Sequence, residues 1–254
     1  MNSNNRLTIA LLFLTSVTII LSYSTKIERP VNNEVVINVI TKEDSIAIRM
    51  NEIADSIEKV VDNNFEYIYP RFKVFNPNVD SSIVRTFAGV MNSFKLDETK
   101  YMREMYTGQI LLESGAKQYR ANGDLVLSPV GAVGLCQIMP NTCSGYMRRY
   151  VDSADRVLFN KLGASKFSFA YNDTLSRKEK NLKAKEWLTN VNNNIIMWGY
   201  ITRNNLNRKG DLHKQLVAYN AGTSGMRRYV TNGGDCNRHE YLCGIRSKLA
   251  VASR

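Results

Sequence analysis

Residues 106–145 constrain this chain more than any other stretch. An apolar run, Ile110, Leu111 and Leu112, ends in Glu113, Ser114 and Gly115, and a polar loop punctuated by Gly123, Pro129, Gly131 and Gly134 follows. The run reads as the last turns of a helix, with Gly115 suited to the left-handed residue that closes one. A carboxyl at Glu113 then lies beside apolar packing and at the negative end of a helix dipole, and both influences favour its protonated form. Glu113 is therefore a candidate general acid at neutral pH. In the loop, Asn122-Gly123 between Tyr119 and Leu125-Val126-Leu127 predicts a small β-hairpin, the one notable β element. The glycines do not make a phosphate loop, because no Lys-Ser/Thr pair follows them.

The flanking sequence is mainly helical in pattern. Ile46, Met50, Ile53, Ile57, Val60 and Val61 recur at helical spacing from Asp44 to about Asn63. Residues 25–42, rich in β-branched side chains, read as an extended linker or a short edge strand, and Tyr67 to Asn78, with Pro70 and Pro77, as an ordered connection. Asp80, Ser81 and Ser82 offer an N-cap for a helix burying Val84, Phe87, Met91 and Phe94, and Leu96-Asp97 start the helix that leads to Glu113. Residues 146–192 carry many Lys and Arg and read as solvated helical turns. Helices are also expected over Ile195 to Leu206 and over Leu212 to Ala221, the latter ending at Gly222. This gives three regions: a leader (1–24), an N-terminal linker and helical region (25–79) and a domain that holds Glu113 and its loop (80–254).

The leader joins a polar start bearing Arg6 to an apolar run from Leu7 to Leu21, followed by small Ser22 and Ser24. It reads as an export signal, with an uncleaved membrane anchor through residues 7–21 as the alternative. The formal charge of +11 draws an exported chain toward anionic lipid or an anionic wall polymer, and nucleic acid is not an expected partner. Four cysteines fall as two equally spaced pairs, Cys136 with Cys143 and Cys236 with Cys243, which in an oxidising compartment suggests two local disulfides. With only His213 and His239 and no CxxC or HxxxH spacing, no metal site is expected.

Three ordered motifs carry a resemblance: Glu113-Ser114, SPVGAVGLCQIMP at Ser128 to Pro140, and AYNAG at Ala218 to Gly222. Together they resemble the soluble lytic transglycosylases, murein-cleaving enzymes, over roughly residues 80–230. The resemblance implies a mainly α, lysozyme-like catalytic domain with a groove for a glycan strand, and it needs no cofactor. It places the catalytic acid at Glu113, an acetamido-orienting serine at Ser128, groove-lining Gln137 and Met139, and Tyr219 and Asn220 toward the acid and the glycan. Asn194, from an Asn-Ile pair followed by Gly199 and Tyr200 one position out of register, is a further carry-over. The chain departs from the family pattern in three ways. Cys136 stands where the family often has methionine, the loop from Ser114 to Ser128 is of the longer type, and a late Glu-Thr-x-x-Tyr-Val segment has no clear counterpart around Glu240-Tyr241.

Glycoside hydrolysis ordinarily uses two carboxylates. Here one is well placed, and the resemblance implies non-hydrolytic cleavage between N-acetylmuramic acid and N-acetylglucosamine, leaving a 1,6-anhydro end. The expected partner is peptidoglycan in the periplasm or cell envelope, and a wall-spanning secretion or conjugation apparatus is a compatible recruiter. Two rival readings stand beside this one: a hydrolytic muramidase using Asp124 as second carboxylate, and a noncatalytic glycan-binding scaffold.

Overall fold

The computed structural model describes residues 33–254, with side chains from Ile46 onward, Ile48 excepted. The expected leader lies outside the described residues. Nine α-helices and one short 3-10 turn are present among them, and none is long and apolar enough to cross a membrane. The chain divides into two units, residues 1–54 and 55–254. In the described part of the first unit the chain is entirely helical, as the N-terminal part of α1 (Asn33–Phe75). The edge strand expected within 25–42 is therefore corrected over residues 33–42, which are helix, while 25–32 lie outside the described residues. Ile46 and Ile53 in this unit are exposed, at 52% and 57%.

In the second unit α1 runs through Pro70 to Phe75, where a connection was expected. A proline inside a helix forfeits a hydrogen bond and costs about 3 kcal/mol. Pro70 and Glu66, whose carbonyl it deprives of a helical donor, are both exposed, while Ile68 and Phe72 are fully buried. Burying two such side chains contributes about 3–6 kcal/mol, enough to offset the proline.

Helix α2 (Ser81–Ser93) starts as its cap residues imply, with the Asp80 carboxylate accepting from the Ser82 amide at 2.8 Å. Val84, Phe87 and Met91 are fully buried, and Phe87 lies between Phe72 at 5.6 Å and Trp198 at 4.7 Å between ring centroids. Helix α3 (Lys100–Ser114) begins three residues later than Asp97, because Thr99 supplies the capping oxygen while Asp97 accepts from Asn64. Gly115 closes it in the left-handed region (φ 62), its amide bound to the Leu111 carbonyl.

Helices α4 (Pro140–Tyr150), α5 (Ser153–Lys161), a 3-10 turn (Ser168–Tyr171) and α6 (Arg177–Thr189) fill the basic stretch. It is less solvated than its charge suggests. Phe159, Phe167, Trp187 and Leu188 are buried, and Phe159 packs edge-on against Phe94 and Tyr200. Helix α7 (Val191–Lys209) is apolar around its circumference from Ile195 to Ile201 and is buried accordingly. Helix α8 (Leu212–Thr231) breaks at Gly222, whose φ of 66 and ψ of −176 are not helical, in agreement with the end expected there.

The last helix, α9 (Glu240–Ala252), packs against α3. The approach is close because α3 presents Gly108: a Cβ there would stand 2.7 Å from Leu249 and 2.9 Å from both the side chain and the carbonyl of Ile245. Gly108→Ala should therefore lower stability by about 1–3 kcal/mol, measured as a reduced denaturation midpoint, since one neighbour is backbone and the helices must part.

Candidate active site

Glu113 stands in the last turn of α3, half-buried, with the long loop in front of it. Burial pushes its carboxyl up to about 7, against the opposing pull of the Tyr241 hydroxyl, which donates to Oε1 from the first turn of α9. The charge of Glu113 in turn raises the Cys136 thiol and the Tyr219 and Tyr241 hydroxyls, each already raised by its own burial. The loop, α8 and α9 thus converge on one carboxyl. No lysine, arginine or second carboxylate acts on it among the described residues.

The loop is held by backbone bonds and by side chains together. The hairpin expected around Asn122-Gly123 is reduced to isolated antiparallel bridges, Tyr119 to Leu125, Leu127 to Val133 and Val133 to Ile138. Backbone bonds persist around these bridges, from the Arg120 amide to the Asp124 carbonyl at 2.7 Å and from the Val126 amide to the Gln118 carbonyl at 3.0 Å, and side chains add to them. The Gln118 amide donates to the Leu188 and Thr189 carbonyls while its oxygen accepts from the Leu135 amide at 2.7 Å. Ser114 donates to the Leu135 carbonyl at 2.7 Å, so the residue beside Glu113 fastens the loop over the helix end.

The expected site residues divide into two groups. Tyr219 reaches the loop beside Glu113, its hydroxyl donating to the Cys136 carbonyl at 2.6 Å. Gln137 takes a positive φ of 49 and donates to the Gly134 carbonyl at 2.7 Å, and Met139 caps α4 with its side chain half-exposed. Ser128 accepts from the Ala132 amide at 2.9 Å within its own turn, and Asn220 is exposed. Asn194 is different. It is fully buried, accepts from the Cys136 amide at 2.8 Å and donates to the Val133 and Leu188 carbonyls. An assignment to ligand binding is corrected: Asn194 clamps the loop onto α7 with every polar atom engaged. Asp124 is exposed at the turn tip, tied to Asn122 at 2.6 Å.

The disulfides suggested by spacing are corrected too, for all four cysteines are free. Cys136 and Cys143 are fully buried, and the Cys143 thiol faces Met147 within α4 at 4.0 Å rather than the loop. The Cys236 sulfur accepts from Arg246 at 3.1 Å, and Cys243 donates to the Asn237 carbonyl at 3.2 Å. Among the described residues no three His, Cys, Asp or Glu side chains are grouped to hold a metal.

Sequence reasoning missed Tyr241. It stands one residue into the last helix with no motif around it, and only the close packing of α3 on α9, permitted by Gly108, brings its hydroxyl to Glu113. A separate depression of about 790 Å³ is walled by Ser165, Phe169, Asn172, Lys183, Trp187 and Asn190, and Glu113 is not part of its wall. No family model, curated protein or solved structure matches the chain.

A carboxyl raised from 4.5 to about 7 holds its proton in the folded state over a range where the unfolded chain has released it. The folded state binds more protons there, so stability falls as pH rises from about 4.5 to 7. Glu113→Gln removes the burial of that charge. It should be more stable than wild type by on the order of 1–3 kcal/mol at pH 8, with the gap closing toward pH 4.5, read from urea unfolding at both pH values.

Proposed function

We propose that this chain is a lytic murein transglycosylase acting on peptidoglycan glycan strands, with Glu113 as acid and then base. The observation that carries the reading is the lone half-buried carboxyl. It is poised near 7, has no second carboxylate among its described contacts, and is faced by Tyr219 of the AYNAG motif and by the SPVGAVGLCQIMP loop. A single group that is protonated below about neutrality and ionised above can serve both halves of one reaction. The resemblance of three ordered motifs, on three separate segments, supplies the substrate. The lysozyme-like architecture it implies belongs to this proposal, as do export to the cell envelope and recruitment by a wall-spanning apparatus.

In the proposed reaction Glu113 gives its proton to the glycosidic oxygen as the bond from that oxygen to C1 of the muramic residue breaks. The departing N-acetylglucosamine leaves with a free hydroxyl. The muramic acid C6 hydroxyl then bonds to C1, closing the 1,6-anhydro ring, and its proton passes to the Glu113 carboxylate. No water is consumed and Glu113 ends as it began. Tyr241, donating to Oε1, stabilises the carboxylate that exists between the two proton transfers.

Digestion of purified murein by the wild-type protein should give 1,6-anhydromuramyl ends by mass spectrometry. Free reducing ends in their place would transfer the reaction to hydrolysis, with Asp124 the first residue to test. Glu113→Gln should lose activity by about 10²–10⁴-fold while retaining binding to murein, and clearing that survives the substitution would leave a glycan-binding scaffold. Because the first step needs the protonated acid, kcat/KM should fall as pH rises through about 7, followed by product release across pH 5 to 9.

A further inference from the structure

Four residues before Glu113 on the same face of α3 stands Gln109, fully buried and without a role in the reading above. Its amide oxygen accepts from the indole N–H of Trp198 at 3.2 Å. Its amide nitrogen faces the Tyr241 hydroxyl at 3.4 Å, and Tyr241 donates to Glu113 Oε1. The direction of this chain is fixed at its far end. An indole N–H can only donate, so the Gln109 oxygen must face Trp198 and its NH2 must face Tyr241. The tyrosine oxygen then accepts from Gln109, and its single hydrogen is left for Glu113.

We propose that Gln109, oriented by Trp198, is a positioning residue that makes Tyr241 a donor to Glu113 and thereby keeps the acid proton on Oε2. Oε1 accepts in both protonation states, so the transferable proton is confined to the other oxygen of the carboxyl. Without Gln109 the hydroxyl is free to turn and accept from a proton on Oε1, where that proton is spent on an internal bond. Tyr241 would then satisfy the neutral carboxyl as well as the ionised one. Its preference for the ionised form, which opposes the effect of burial, would be reduced. The titratable groups that feel the charge of Glu113 are Cys136 on the loop, Tyr219 on α8 and Tyr241 on α9, all three raised by burial and so neutral near pH 7. None of them competes in setting the direction of the bond: the Tyr219 hydroxyl is committed to the Cys136 carbonyl.

The assignment of a useful proton to Oε2 rests on the transglycosylase reading, whereas the polarity of the relay does not, and one titration separates them. In the full chain with ¹³C-labelled glutamate, the Glu113 carboxyl resonance, assigned by its loss in Glu113→Gln, is followed against pH without substrate. Gln109→Met, similar in shape and unable to hydrogen-bond, should move the midpoint upward from about 7, and Trp198→Phe should move it the same way. Circular dichroism confirms that each variant is folded. In a Tyr241→Phe background Gln109→Met should move the midpoint no further, because its effect passes through the hydroxyl. An unchanged midpoint in folded Gln109→Met, or an equal movement with and without the hydroxyl, overturns the relay. Activity is read separately: on murein, Gln109→Met should lower kcat about tenfold with KM unchanged. A wild-type protein inert on murein counts against the transglycosylase reading alone, since the titration still decides the relay.

Discussion

The site depends on one hydrogen bond across a helix contact, from the Tyr241 hydroxyl on α9 to the Glu113 carboxyl at the end of α3. The approach that brings the two groups together is steric. Gly108 lets the helices approach until a single added carbon would collide with Ile245 and Leu249. The bond then works against its surroundings. Burial drives the carboxyl toward neutrality while the hydroxyl favours its charge, and the balance settles near neutral pH because desolvation is the larger of the two. A carboxyl held between these influences costs stability at neutral pH.

Burial and the Tyr241 hydroxyl set the protonation of Glu113, with no contribution from a charged side chain among the described residues. An adjacent arginine or lysine would pull the carboxyl down and lock it as the anion, and a second carboxylate would divide the proton between two oxygens. Tyrosines and a thiol do neither. The net charge of +11 therefore leaves the protonation of Glu113 untouched.

How legible this was in the sequence depends on the range of the causing interaction. The end of α3 at Gly115, the Asp80 cap of α2 and the break at Gly222 are local events, fixed by one residue's backbone freedom or one side-chain oxygen, and all three were read correctly. Pro70 was misread because its cost is local while its compensation, the burial of Ile68 and Phe72, comes from distant partners. The hairpin is shorter than expected: Asn122-Gly123 turns the chain and backbone bonds join Arg120 to Asp124 and Val126 to Gln118, but the pairing stops at the single Tyr119–Leu125 bridge. The motifs led to Glu113 and Tyr219. Tyr241 and Gln109 carry no motif, and each is visible only once α3, α7 and α9 are in contact. Asn194 shows the converse, a motif-derived residue whose burial gives it a task inside the fold.

That task bears on motion. The amide of Cys136 is held by Asn194 of α7 and its carbonyl by Tyr219 of α8, so this one residue is pinned on both sides by the protein's interior. The loop segment nearest the carboxyl therefore cannot breathe independently of the helices that grip it. Opening there breaks bonds to α7 and α8, whereas the exposed tip at Asn122 and Gly123 is anchored chiefly to its own turn. One loop thus has two lifetimes. Solvent exchange should be slow at its base and fast at its tip, leaving a firm floor beside Glu113 and a looser margin at the turn.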